Sequence, residues 1–152
     1  MAKILVPVDF SDSSGKLLSV AEETARSRGD SLHLIHVIEP VAATAGLETD
    51  PTMVQLQIPQ DLGSEERIWS ERLGKLAAEI AARGIACTSA AQFGLPADEI
   101  LAAARETGAA LTVMGSHGHG ALYHLFTGSV VTGVLRRVEC PVLVVPLRQK
   151  KS

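Results

Sequence analysis

The residues best suited to chemistry stand near the C-terminus, in Gly115-Ser116-His117-Gly118, followed after nine residues by Gly128-Ser129. Glycine has no Cβ, so its backbone N–H can close on an anion, and it takes positive φ at little steric cost. Gly128-Ser129 opens an apolar helical stripe. The start of a helix offers unpaired N–H groups and the positive end of the dipole to the same anion. The Ser129 hydroxyl adds a donor for a phosphate oxygen. Together these groups make a cradle for a polyphosphate. Two other phosphate-binding motifs are excluded. A P-loop needs a lysine after its second glycine, and none stands there. A dinucleotide fingerprint puts its glycines after the first strand, where this chain has Pro7-Val8-Asp9-Phe10. The plainer alternative is a flexible strand-to-helix connection; the glycine spacing with Ser129 at a helix start favours the cradle.

The other reactive residues read more simply. His117, His119 and His124 invite a metal, but such a site needs a third strong ligand and an orienting shell, and the sequence locates neither. A phosphate-side or solvent-facing place fits them better. Ser116 adjoins His117, yet no Gly-x-Ser-x-Gly elbow surrounds it. Cys87 and Cys140 are far apart with no CxxC, so both read as small core or near-core residues in a reducing compartment. Asp9 is either a turn residue for the first helix or a ligand contact. Its place at the end of a central strand favours the contact.

These groups need a scaffold, and the chain alternates between the two periods that supply one. Apolar runs at Ile4–Val8, Leu32–Ile38, Ile85–Phe93, Ala110–Met114 and Pro141–Val145 read as five strands. The third is the least apolar, as an edge strand tends to be. Ser11-Asp12-Ser13-Ser14 supplies cap oxygens for a helix with its stripe at Leu17, Val20, Ala21 and Ala25. A second helix begins at Ser64, with Trp69, Leu73, Leu76, Ala77 and Ile80 on one face. Pro96 sits in the first turn of a third, which buries Ile100, Leu101 and Ala104. The last stripe is Val131, Val134, Leu135 and Val138, closed by Arg136 and Arg137 near its negative end. Between Val41 and Gly63 the pattern dissolves into a long connection of the kind that forms a lid or partner surface. His33 and His36, three apart in the second strand, fall on opposite faces and read as packed or hydrogen-bonded residues.

Repeated βα units imply an α/β domain, Rossmann-like and doubly wound, with a five-stranded parallel sheet and helices on both faces. Its ligand crevice lies where chain order reverses, between the C-terminal ends of the first and fourth strands. One such domain over 1–147, with 148–152 as a tail, suits a chain of 152 residues. Hydrophobic residues make up 46% and aromatics 3%, so aliphatic side chains fill the core. The net charge of −3 and the scarcity of aromatics argue against nucleic acid as partner. No apolar run reaches the roughly 20 residues of a spanning helix, and no secretory signal is evident, so the expected location is the cytoplasm.

Gly115-x2-Gly118-x9-Gly128-Ser129 resembles the ATP-binding signature of the universal stress protein family. Ile4-Leu5-Val6-Pro7-Val8-Asp9-Phe10-Ser11 looks like that family's opening strand, and Cys140-Pro141-Val142-Leu143-Val144-Val145-Pro146 like its closing one. The resemblance implies strand order 3-2-1-4-5, a homodimer formed through the closing strand 141–145, and binding of ATP or another adenine nucleotide, with or without Mg. By position, Pro7, Val8 and Asp9 would border adenine and ribose, Asp9 as the ribose contact. Val37 would meet the adenine edge through its backbone. Met114 and Gly115 would line the floor, and Gly118, Gly128, Ser129 and Val130 would hold phosphates. His119 departs from the pattern: members often carry arginine there, and a neutral imidazole offers a triphosphate less.

The implied role is a nucleotide-binding regulatory protein of the stress response, with a regulatory partner the sequence does not identify. A slow ATPase or nucleotidyl-transfer enzyme using the same crevice is the rival, disfavoured because no general base is evident. A third reading is a ligand-independent interaction module that docks partners through the closing strand and the 41–63 stretch.

Overall fold

The computed structural model describes residues 1–39, 62–116 and 129–147. The chain runs β1 (Lys3–Pro7), α1 (Ser14–Arg28), β2 (Ser31–Ile38), α2 (Leu62–Ala82), β3 (Cys87–Phe93), α3 (Pro96–Thr107), β4 (Leu111–Gly115), α4 (Ser129–Arg137) and β5 (Val142–Val145). The five strands form one parallel sheet in the order β3-β2-β1-β4-β5. This is the doubly wound architecture expected from the alternating periods. Among the described residues no helix is long and apolar enough to cross a membrane.

Period-two alternation in the strands sorts their side chains into two cores. Ile4, Val6, Leu32, Leu34 and Val113 face Leu17, Ala21 and Ala25 of α1 and Leu73, Ala77 and Ile80 of α2. Leu5, Ile35 and Met114 face Ile100, Leu101 and Ala103 of α3 and Val131 and Val134 of α4. Each large aliphatic side chain fully buried this way stabilises the fold by about 1.5–3 kcal/mol. The first two crossovers therefore cover one face of the sheet and the last two cover the other. The winding reverses between β1 and β4.

Several boundaries differ from expectation by one or two residues, the ordinary range for element ends. α2 begins at Leu62 rather than Ser64, so the last two residues of the 41–63 stretch are helical; the rest of that stretch lies outside the described residues. β3 begins at Cys87, although Ile85 is buried and the Ala86 carbonyl already accepts from Leu32 N–H. Two expectations fail. Ser13 is the N-cap of α1 but makes no side-chain cap bond. Leu135 does not join the buried stripe of α4 and is 47% exposed. At 3.6 residues per turn it sits about 100° round the helix from the fully buried Val134.

Candidate functional site

The register opens the crevice. β1 pairs with β2 along five residues, from Lys3↔Ser31 to Pro7↔Ile35. It pairs with β4 only at Ile4↔Leu111 and Leu5↔Thr112. Beyond Leu5 the two central strands separate, with β4 continuing along β5 as far as Gly115↔Val145. The strand ends Pro7 and Gly115 thus border a cleft at the C-terminal edge, where a doubly wound sheet takes its ligand.

Three residues expected in the site share one core cluster. Met114 is buried in the core beneath α3 and α4, and Val37 and Val130 pack against that core. The β2 main chain is turned the same way. The Ile35 carbonyl accepts from Val8 N–H at 2.8 Å, so it faces β1. Two residues on, strand alternation turns the Val37 amide and carbonyl to that side as well. α4 starts at Ser129 and carries no acidic residue in its first turn to offset its positive end. Gly118, His119 and Gly128 lie outside the described residues, as does the side chain of Ser129.

Asp9 leads the turn out of β1. Its Oδ1 accepts from Ser11 N–H at 2.9 Å and from the Ser14 hydroxyl at 3.3 Å, so it organises the turn that leads into α1. The first of these bonds makes an Asx turn, with Phe10 at its centre. Both use Oδ1, so Oδ2 remains outside the turn. Asp9 is therefore a turn residue in fact, held just beyond the C-terminal end of β1.

Phe10 has φ of 58°, the single left-handed non-glycine among the described residues. That conformation costs a residue with a Cβ roughly 1–2 kcal/mol. A cluster of rings holds it. The Phe10 ring lies 5.2 Å from both His36 and Trp69, and His36 lies 4.3 Å from Trp69, between centroids. The Arg72 guanidinium sits 4.8 Å from the Phe10 and Trp69 rings alike. Ring pairs contribute about 0.5–1.5 kcal/mol each and an exposed cation–π contact about 0.5–1 kcal/mol. The cluster is large enough to offset the strain. His36 also places Nδ1 2.7 Å from the Val8 carbonyl. That carbonyl has no proton to give, so Nδ1 carries the hydrogen and donates it.

Ser116, just past β4, acts as a brace to the end of β5. Its N–H donates to the Val145 carbonyl at 2.9 Å, and its buried Oγ accepts from Leu147 N–H at 3.0 Å. Lys16 adds a bond from α1, its Nζ 2.7 Å from the Pro146 carbonyl. His33 projects on the opposite face from His36 and meets the Thr88 hydroxyl at 2.7 Å. Desolvation, reinforced by the Lys3 charge, lowers its pKa. Burial pushes the Cys87 thiol up to about 11, with the Glu22 charge adding to it, so at neutral pH Cys87 is a protonated, unreactive thiol. Among the described residues no three His, Cys, Asp or Glu groups gather as metal ligands.

A sequence model of the universal stress protein family matches residues 1–146. The chain belongs to that family. The universal stress protein YxiE of Bacillus subtilis is 33% identical over 144 residues, which cover 94% of this chain and 97% of YxiE. The solved structure of MJ0577, a universal stress protein of Methanocaldococcus jannaschii, is similar over 98% of both chains at 25% identity, with a TM-score of 0.74. Two further structures share the fold. One is a universal stress protein of Archaeoglobus fulgidus in complex with dAMP, 23% identical over 95% of this chain and 97% of its own, TM-score 0.63. The other is a universal stress protein in complex with cAMP, 22% identical over 97% and 98%, TM-score 0.61.

For this universal stress protein, sequence reasoning anticipated neither the ring cluster at Phe10 nor the brace at Ser116. Asp9-Phe10-Ser11, an aspartate two residues before a serine N–H, was the available signal for the first. The brace depends on the approach of β5 to the end of β4, which no local pattern announces.

Proposed function

We propose that this universal stress protein binds an adenine nucleotide, ATP or AMP, in the cleft between β1 and β4, and acts as a regulatory protein rather than a rapid catalyst. The observation that carries the reading is the separation of β1 from β4 beyond Leu5, with Val37, Met114 and Val130 against one apolar core at its edge. That wall suits the flat, apolar face of a base. Asp9 Oδ2 suits a ribose hydroxyl, and the main chain of Val37 suits the hydrogen-bonding edge of adenine. Pro7 and Val8 border the same end of the cleft. Phosphates would then lie against Gly115, Gly118 and His119, and against Gly128, Ser129 and Val130 at the positive end of α4. The dAMP and cAMP complexes of the two similar proteins support an adenine nucleotide as the ligand class. With His119 in place of a guanidinium, a monophosphate loses less than a triphosphate does, and Mg becomes more useful to the latter.

The proposal extends to assembly. β5 is an edge strand and its Leu143 is 38% exposed, a surface suited to pairing with a second copy through 141–145. One nucleotide-binding domain over 1–147, working in the cytoplasm and signalling its occupancy to a regulatory partner, completes the picture.

Isothermal titration with ATP, ADP and AMP at millimolar concentrations, with and without Mg, tests it. Saturable heat from at least one nucleotide is expected; none from any of them removes the proposal. Product analysis after long incubation with labelled ATP separates binding from turnover, and conversion at a rate typical of enzymes would contradict the regulatory role.

A further inference from the structure

Asp9 is held from both sides by groups that no nucleotide contact explains. Before it, the Val8 carbonyl accepts from His36 Nδ1. After it, Phe10 adopts a left-handed backbone, and its ring is packed by His36, Trp69 and Arg72. His36 takes part in both contacts. It belongs to β2, while Trp69 and Arg72 belong to α2, the helix that follows the 41–63 stretch.

We propose that His36, together with Phe10, Trp69 and Arg72, is a positioning unit that fixes the direction of the Asp9 carboxylate and thereby couples α2 to the nucleotide cleft. This rests on the nucleotide reading above and adds the residues that govern it. Three points favour positioning over simple packing. The cluster stabilises a backbone conformation that a phenylalanine would not otherwise adopt. The left-handed residue lies inside the Asx turn, so its φ sets where Asp9 points. An apolar side chain at position 36 would fill space equally well, yet the residue there is one whose N–H reaches a carbonyl adjoining Asp9. A ligand that draws on Asp9 must therefore work against, or with, the geometry of Trp69.

The experiment uses AMP as probe, with calorimetry and the emission of Trp69, the single tryptophan of the chain. In the wild type, emission changes saturably with AMP, at the same midpoint as the heat. His36→Leu removes the donor and is expected to weaken AMP binding about tenfold, equivalent to about 1.4 kcal/mol. His36→Asn, whose amide N–H stands where Nδ1–H stood, recovers most of the loss. Phe10→Gly takes the left-handed backbone without strain but loses the ring; it stays folded by circular dichroism and binds more weakly to a similar degree. That variant decides the matter if His36→Leu does not fold. Wild-type binding with Phe10→Gly and every folded His36 variant unchanged overturns the positioning unit alone. So does a His36→Asn protein as weak as His36→Leu. A wild type that binds neither AMP nor ATP overturns the nucleotide reading, and the unit with it.

Discussion

Replacing Ser116 by alanine separates a structural serine from a chemical one. Its Oγ accepts the Leu147 amide at 3.0 Å, and both residues are buried, with exposures of 7% and 8%. Alanine fills nearly the same volume, so packing changes little, and the Ser116 N–H keeps its bond to the Val145 carbonyl. What remains is a buried Leu147 N–H without its acceptor, which costs about 1–3 kcal/mol. With a urea slope near 2 kcal/mol/M the unfolding midpoint falls by roughly 0.5–1.5 M. If the loss is felt locally, exchange of the Leu147 amide speeds by about 5- to 150-fold. Urea titration by circular dichroism and hydrogen exchange by NMR read the two quantities. An unchanged midpoint together with an unchanged Leu147 exchange rate would refute the brace. Loss of ATP turnover at full stability would refute it more sharply, because it would make Ser116 a reactive group.

Other perturbations bear on the fold, its pH response and the edge strand. Gly94 has φ of 150°, and a Cβ there would stand 2.6 Å from Glu99 Oε1 and 2.7 Å from its Cγ. Gly94→Ala should therefore cost at least the 1–3 kcal/mol or so of a glycine-only backbone. Gly108, at φ of 60° with nothing within 4 Å of its would-be Cβ, should cost about 1 kcal/mol on the same change; equal urea midpoints for the two would contradict this. His33 has a lowered pKa in the fold, so folding disfavours its protonated form. Its contribution is intact above the ordinary histidine pKa and is lost as pH falls from there through the folded value. Wild-type stability should accordingly drop more steeply than that of His33→Gln between pH 7 and 5, and parallel curves would dismiss the effect. Leu143→Lys places a charge on the exposed edge of β5. Sedimentation should show a dimer for the wild type and a monomer for the variant; an undisturbed dimer would place the interface elsewhere.

The parallel sheet and both cores were readable because they rest on periodicities that burial enforces, whereas the strand order followed from the family resemblance. Leu32, Leu34 and Ile38 alternate with residues of the other face, and Leu73, Ala77 and Ile80 recur at helical spacing, so a sheet and its cover follow from the pattern. His33 and His36 fell on opposite faces for the same reason. Leu135 was misplaced because the width of a helix's buried stripe depends on neighbours far away in sequence. The serine cluster was misread as a source of cap bonds because serine and aspartate both accept backbone N–H groups. Which of them does so depends on the turn, and the turn here is bent by a phenylalanine in a conformation that propensity would assign to glycine or asparagine. Of the candidate site, the aliphatic residues and Asp9 were legible only as residue types at strand ends, and their part in binding is the proposal. The ring cluster that steadies Asp9 joins positions 10, 36, 69 and 72, contacts that exist only once α2 lies on the sheet.

The central claim is that adenine nucleotide enters between β1 and β4. Titrating AMP into isotopically labelled protein and following the backbone amides tests it most directly. Saturable shifts concentrated at Asp9, Val37, Gly115 and Val130 are expected, with the amides of β3 at the far edge unmoved. Shifts gathered at another surface, or none with AMP, ADP or ATP, would contradict it.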